Sequence, residues 1–247
     1  LADVMGLVRD HYEGTEMDMT RGLTAGPFGN PNRVRPLSWE RDSIEYSWER
    51  PISTYNTAFS YIAQLRSGLP DDIGGVAWFG VDDTYFTCYM PVYASVTEIP
   101  KPLRTGDMRE YSDESAWWVF NFVSNFANIR YSDMIQDIQP VQRSLEAGFL
   151  SRQDSVEQHA LSLQGDVRVA FLNQYVDDCC EQACAEWRDL GDHLIVKYND
   201  GYVKDTNGRV QQQAYPDEWM GVIIRHEGDK HRIPEWEEAE SLEEKAF

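Results

Sequence analysis

Gly74-Gly-Val-Ala-Trp-Phe-Gly-Val81 is an uncharged apolar run bounded by turn formers on both sides, Leu69-Pro-Asp-Asp72 before it and Asp82-Asp83 after it. A short apolar run between turn signals, with Val, Trp and Phe inside it, reads as a buried strand. Upstream, Ile52-Ser-Thr-Tyr-Asn-Thr-Ala-Phe-Ser-Tyr-Ile-Ala-Gln64 mixes β-formers with small residues. Downstream, Thr84-Tyr-Phe-Thr-Cys-Tyr-Met-Pro-Val-Tyr93 is rich in aromatic and β-branched side chains. Three extended segments joined by short turns predict an antiparallel sheet. Pro91 belongs near a strand end or at a sheet edge, because it cannot donate to a ladder.

After the Pro-rich link Ile99-Pro-Lys-Pro-Leu103 the apolar spacing becomes helical. Trp117, Phe120, Val123 and Ala127 recur at steps of three and four, as do Met134, Ile138, Val141 and Leu145. Pro140 should kink or restart the second helix, and Gly148 suits its C-terminal cap. A third run, from Asp154 to Leu190, predicts one helix of roughly thirty residues or two in series, about 45 Å long. The second and third helices are expected to pair as a long antiparallel hairpin. Leu194-Ile-Val-Lys-Tyr198, with turns at Asn199-Asp-Gly201 and Asp205-Thr-Asn-Gly208, predicts two further strands or a hairpin. The last fourteen residues, Pro234 to Phe247, hold six Glu and one Lys and predict a frayed acidic tail or surface helix.

The class is therefore α+β, in three parts: a loop-rich, antiparallel β part over 1–110, a helical hairpin over 111–192, and a short β segment with the tail over 193–247. Within the first part, Gly22 to Asn32 packs three Gly, two Pro and two Asn into eleven positions, the composition of a long ordered loop. Phe28, Trp39, Tyr46 and Trp48 around it suggest that it packs down and serves a function.

The 247 residues carry 42 Asp and Glu against 22 Lys and Arg, a formal charge of −20. Such a surface repels phosphate backbones, so nucleic-acid binding is not expected. The longest apolar stretches, Gly74 to Val81 and Ala116 to Val123, are far short of a membrane span, so no membrane insertion is expected. The chain opens on Leu1 without a basic and apolar leader pattern, so position 1 reads as an internal boundary or a processing site.

Chemistry-bearing clusters are sparse. A calcium loop over Asp200 to Gly208 fails because Val203 takes the first ligand position when Gly208 takes the sixth. Cys179, Cys180 and Cys184 diverge on a helix with no His within four residues, so buried core thiols are expected rather than zinc ligands; no metal site is expected. Cys88 has no obvious mate. His159 and His193 lack a neighbouring Ser or Cys in nucleophile-like context and read as structural. No phosphate loop and no His-Glu-xx-His signature occurs.

Six short motifs occur in a fixed order: Asp10-His-Tyr-Glu-Gly-Thr-Glu-Met-Asp18, the Gly-Pro-Phe-Gly segment at 26–29, Glu49-Arg-Pro-Ile-Ser53, Ser60-Tyr-Ile-Ala-Gln-Leu-Arg66, Gly75-Val-Ala-Trp78 and Met90-Pro-Val-Tyr93. With the Trp117-Trp118 helix and the long hairpin that follow, this order resembles the C-terminal half of the C69 dipeptidases, cysteine peptidases of the N-terminal-nucleophile class. The resemblance spans most of residues 4 to 220. It implies part of an αββα sandwich of antiparallel strands, dipeptide hydrolysis through a thioester, no metal or organic cofactor, and a catalytic Cys at the mature N-terminus. Position 1 is Leu, which cannot attack a carbonyl. The chain is accordingly expected to lack its nucleophile and to be inactive alone, with the missing N-terminal half of the same protein and a dipeptide as its partners.

The resemblance makes Arg50 the candidate catalytic residue: a guanidinium at the start of a core strand favours thiolate over thiol and grips a substrate carboxylate. The alternative is a structural ion pair. His11, Glu13, Thr15, Asp18 and Asn30 are the candidate substrate-binding residues, Glu13 or Asp18 pairing the ammonium of a dipeptide; Asn32 and Arg33 rank below them. The alternative for Asp10 to Asp18 is a helix C-terminal turn with Gly14 left-handed and His11 at the negative end. The resemblance places a secreted or envelope location slightly ahead of a cytoplasmic one and leaves a homo-oligomer open. A non-enzymatic interaction module or an inactive homologue are the rivals; a fragment of a sandwich should show a large apolar face, whereas a self-sufficient module should not.

Overall fold

The computed structural model of the chain describes residues 1–233; the acidic segment from Pro234 lies outside the described residues. A short helix, α1 (Ala2–Leu7), opens the chain. The Gly22–Asn32 loop follows, with a single 3₁₀ turn at Leu23–Ala25. Strands β1 (Ser38–Arg41) and β2 (Ile44–Ser47) then form an exposed hairpin whose Asp42 and Ser43 both have positive φ, the turn geometry that matches strand twist. Strands β3 (Phe59–Leu65), β4 (Gly75–Val81) and β5 (Met90–Tyr93) make an antiparallel sheet of order β3-β4-β5, with the helical turn α2 (Asp71–Gly74) before β4. A second helical turn, α3 (Lys101–Arg104), leads to α4 (Ala116–Ala127), α5 (Tyr131–Ser162) and α6 (Gly165–Tyr198). A two-residue pair, β6 (Val203–Lys204) with β7 (Val210–Gln211), helix α7 (Asp217–Glu227) and a 3₁₀ turn at Gly228–His231 complete the described chain. The fold is α+β with small antiparallel sheets, as the sequence predicts.

Side-chain alternation gives the β3–β5 sheet two different faces. On one, Ile62, Trp78 and Tyr93 pack on the α5–α6 hairpin, and Trp78 is completely buried. Polar links pin that contact: Gln64 Oε1 accepts from Trp78 Nε1 at 3.0 Å and from Gln153 Nε2 at 2.8 Å, and the Tyr93 hydroxyl donates to Glu157 at 3.1 Å. The other face carries Phe59, Tyr61, Leu65 and Phe79, with Phe59 57%, Tyr61 62% and Leu65 82% exposed. On its β3 side this face is apolar and open to solvent, whereas Val81 and Met90 on the same face are buried. Beneath the hairpin, α4 crosses α6 with Phe120 stacked on Trp187, ring centroids 4.6 Å apart, both fully buried.

Several boundaries differ from expectation, each for a physical reason. The strand expected from Ile52 begins at Phe59. The strand expected over Thr84–Tyr93 is formed only at Met90–Tyr93, because the preceding backbone is bonded to side chains: Arg9 donates to Thr84 O and Thr87 O, and Gln142 to Tyr85 O and Thr87 O. Gly80 permits this, since a Cβ there would lie 2.6 Å from Thr87 Cγ2. Helix α5 runs through Pro140 and Gly148, held by burial of Ile138, Leu145 and Phe149 on either side of them. The break comes instead after Ser162: Gly165 takes φ +53° and Arg168 caps the end of α5, donating to Ala160 O at 2.9 Å and Leu163 O at 2.7 Å. The α5–α6 pair is thus the expected hairpin with its turn displaced. Leu194–Tyr198 is the last turn of α6 rather than a strand, because Leu194 and Tyr198, four residues apart, are both buried.

Candidate functional site

The Asp82–Tyr89 loop between β4 and β5 is nearly all buried, and the candidate region is built around it. Asp82, held at φ +64°, accepts from Ser124 Oγ at 2.6 Å and Asn121 Nδ2 at 2.8 Å on α4. Burial pushes its carboxyl up to about 6, against the pull of those two donors. Asp83 is also shifted upward, by burial first, with the Tyr85 N–H, His11 and Ser53 opposing. Its Oδ1 accepts from Ser53 Oγ at 3.0 Å, and the Ser53 and Thr84 hydroxyls lie 2.6 Å apart. Ser53 N–H also donates to Asp10 O at 3.2 Å, so the Arg50–Ser53 segment is fastened to the buried loop and to the Asp10–Asp18 segment.

Asp10–Asp18 is a compact turn in which each candidate has a local partner. The His11 ring is buried over Tyr85, centroids 4.5 Å apart, with Nδ1 3.3 Å from Glu13 Oε1 and Nε2 unpartnered. Glu13 Oε2 accepts the His11 N–H at 2.8 Å; burial raises the Glu13 pKa, but its bonds to His11 and the backbone outweigh that and hold it below the ordinary value. Thr15 Oγ1 donates to Tyr12 O at 2.7 Å. Asp18 accepts from Gly14 N, Thr20 N and the Thr20 hydroxyl; these and Arg21 overcome its burial and lower its pKa. Gly14 is left-handed at φ +76°, but α1 ends at Leu7, so His11 does not sit at a helix end.

Arg33 organises the long loop. Its buried guanidinium donates to Glu49 Oε1 at 2.8 Å, Asn30 O at 3.0 Å, Met19 O at 3.1 Å and Thr24 Oγ1 at 2.9 Å. Asn30 is stitched to the end of α4: Nδ2 donates to Asn128 Oδ1 at 3.0 Å, while its Oδ1 accepts the Asn32 N–H at 2.8 Å.

Arg50 differs from all of these. It lies in irregular chain between β2 and β3 rather than at the start of a strand, and its side chain is exposed. Among the described residues its guanidinium meets no partner, so the structural ion pair is not formed there. Its carbonyl accepts the Tyr12 hydroxyl at 3.0 Å, and it borders a small cleft with Asn32, Glu49, Tyr55 and Asn56. A free guanidinium is thus held on a backbone anchored at Arg50 O and at Ser53.

The four cysteines are free and buried. Burial shifts Cys88 well above the ordinary thiol value and Cys179 to about 11; a hydrogen bond with Cys184, then burial, raises Cys180. No group of three or more His, Cys, Asp or Glu that could hold a metal occurs among the described residues. No helix among them is long and apolar enough to cross a membrane. The Asp82–Asp83 pair, Ser53, Arg9 and Glu146 escaped sequence reasoning: an Asp-Asp after a strand carries the signal of an exposed turn.

A pH prediction follows from Asp82. A carboxyl whose pKa is raised on folding takes up protons as the chain folds, so its contribution is greatest below the unfolded value near 4 and is lost as pH rises through about 6. Asp82→Asn removes that dependence. In urea unfolding, the stability of the variant relative to the parent should rise between pH 4 and 7 by up to roughly 3 kcal/mol. An unchanged difference across that window contradicts the burial assigned to Asp82.

Residues 1–144 match the family described as Peptidase family C69. Among curated proteins, a probable dipeptidase B of Lactococcus lactis subsp. lactis (strain IL1403) is 21% identical over 194 residues, covering 78% of this chain and 37% of that protein. A probable dipeptidase B of Streptococcus pyogenes serotype M1 is 20% identical over 154 residues, 62% of this chain and 29% of that protein. A probable dipeptidase of Salmonella dublin is 31% identical over 93 residues, 38% of this chain and 17% of that protein. The chain spans about a third of the length of the first two. The family match covers more than half of the 247 residues, from α1 through the Asp10–Asp18 turn, Arg50 and the buried loop into α5: the chain belongs to peptidase family C69.

Proposed function

We propose that this chain is the substrate-side part of a C69 dipeptidase and that the attacking cysteine comes from polypeptide outside these 247 residues. The observation that carries the reading is the contrast between four buried thiols and the exposed guanidinium of Arg50, which meets no partner among the described residues and borders a cleft: none of the four thiols is open to a substrate, whereas Arg50 is. The reaction is amide hydrolysis through a thioester. A thiolate adds to the dipeptide carbonyl, the amine leaves with a proton returned by the nucleophile's own α-amine, and water then cleaves the thioester. In this reading Arg50 stabilises the thiolate and pairs a substrate carboxylate, and the Asp10–Asp18 turn and Asn30 border the substrate, with Glu13 or Asp18 as the partner for its ammonium.

The open face of the β3–β5 sheet supports an αββα sandwich. It carries exposed Phe59, Tyr61 and Leu65 opposite a face already covered by helices, which is how half of a two-sheet core is built. In this reading the second sheet belongs to the rest of the polypeptide.

The test is release of free amino acids from a panel of dipeptides, by this chain alone and by the full-length protein of its gene. Hydrolysis by the full-length protein alone is expected. Hydrolysis by this chain alone contradicts the absent nucleophile, and inactivity of both contradicts the dipeptidase assignment.

A further inference from the structure

The sheet order β3-β4-β5 leaves two edges, and they are built differently. β5 is four residues long and contains Pro91, two devices that blunt an edge. β3 is seven residues long, Phe59-Ser-Tyr-Ile-Ala-Gln-Leu65, without a charge, a proline or a bulge, and its register with β4 runs uninterrupted. The ladder is bracketed by Arg66 N–H to Gly74 O at 2.9 Å and Asp82 N–H to Ala58 O at 3.0 Å. Even-numbered residues therefore turn their backbone groups toward β4, and Phe59, Tyr61, Ala63 and Leu65 turn theirs outward. Among the described residues, none of those outward N–H or C=O groups meets a partner. Three of the same four residues carry the exposed apolar side chains of the open face.

We infer that β3 is an internal strand of a wider sheet, and that the next strand comes from the part of the full-length polypeptide outside these 247 residues. The neighbour is an extended segment with apolar side chains at alternate positions, placed beside Phe59, Tyr61 and Leu65. Assigning the occupant to the same polypeptide rests on the proposed function; the curated relatives supply the length, since this chain spans about a third of them. A second copy fits less well, because pairing β3 with its mate brings together two bodies that each carry −20.

Amide hydrogen exchange reads the edge residue by residue. In this chain alone, the Tyr61, Ala63 and Leu65 amides should exchange freely while Ile62 and Gln64 are slow. In the full-length protein the first three should slow by at least about 100-fold. Fast exchange at these three in a full-length protein that hydrolyses dipeptides overturns the inference and leaves the proposed function standing. Protection without hydrolysis has the opposite meaning: the sheet extends, and the dipeptidase reading fails. Protection in this chain alone that grows with concentration, alongside a dimer in sedimentation, also overturns the inference by making a second copy the neighbour.

Discussion

Glu146→Ala should cost the chain about 3–5 kcal/mol, read as a lower urea midpoint at unchanged slope. Glu146 accepts from Arg9 at both oxygens, Oε2 from Nη1 at 3.1 Å and Oε1 from Nη2 at 2.5 Å, and Oε1 also accepts the Tyr89 N–H at 2.9 Å. The side chains are 13% and 8% exposed for Arg9 and Glu146. Truncation leaves a guanidinium and a backbone N–H buried without their acceptor, which is the costly way to break such a pair. Since Arg9 also holds Thr84 O and Thr87 O, the loss spreads into the Asp82–Tyr89 loop and through it to Ser53. The double substitution Arg9→Met with Glu146→Leu should recover only part of the loss: no charge is then stranded, but Thr84 O and the Tyr89 N–H still lose their partners. A cost below about 1 kcal/mol for the single change contradicts the burial of this pair.

Arg50→Ala should act in the opposite pattern. In this chain alone its effect on stability should stay within about 0.5 kcal/mol, because the exposed guanidinium has no partner among the described residues to lose. In the full-length protein, dipeptide kcat/KM should fall by roughly 100- to 1000-fold, the scale seen when one fixed electrostatic contact to a reacting group is removed. The acid limb of the pH profile should move upward, since a thiol that loses a neighbouring cation ionises less readily. Arg50→Lys keeps the charge without the two-pronged geometry and should restore the pH limb more fully than KM. Full activity in Arg50→Ala would remove Arg50 from the site.

The fold was legible where apolar spacing decides structure. Trp78 in its run, Trp117 to Ala127 at helical steps and the α5–α6 pairing follow from spacing because each buries one face against a neighbour. Gly148 is no cap because a thirty-two-residue helix packed along its length absorbs one flexible residue. Gly165 was the better stop signal, yet it stands within a run of apolar residues that reads as continuous helix. The Thr84–Tyr89 backbone looked like strand because its composition is strand-like; its partners, Arg9, Gln142 and Glu146, lie far away in sequence. For the same reason the burial of Asp82 and Asp83 could not be read from their neighbours. The resemblance singles out Arg50, but its lack of an ion pair depends on Arg33, seventeen residues away, engaging the neighbouring Glu49.

Alkylation of the full-length protein with iodoacetamide locates the reactive thiol, which in the proposed function lies outside these residues. Activity should be lost in step with modification of a single cysteine that is none of Cys88, Cys179, Cys180 and Cys184, with a dipeptide protecting it. Loss of activity that tracks modification of one of those four would place the nucleophile within this chain instead.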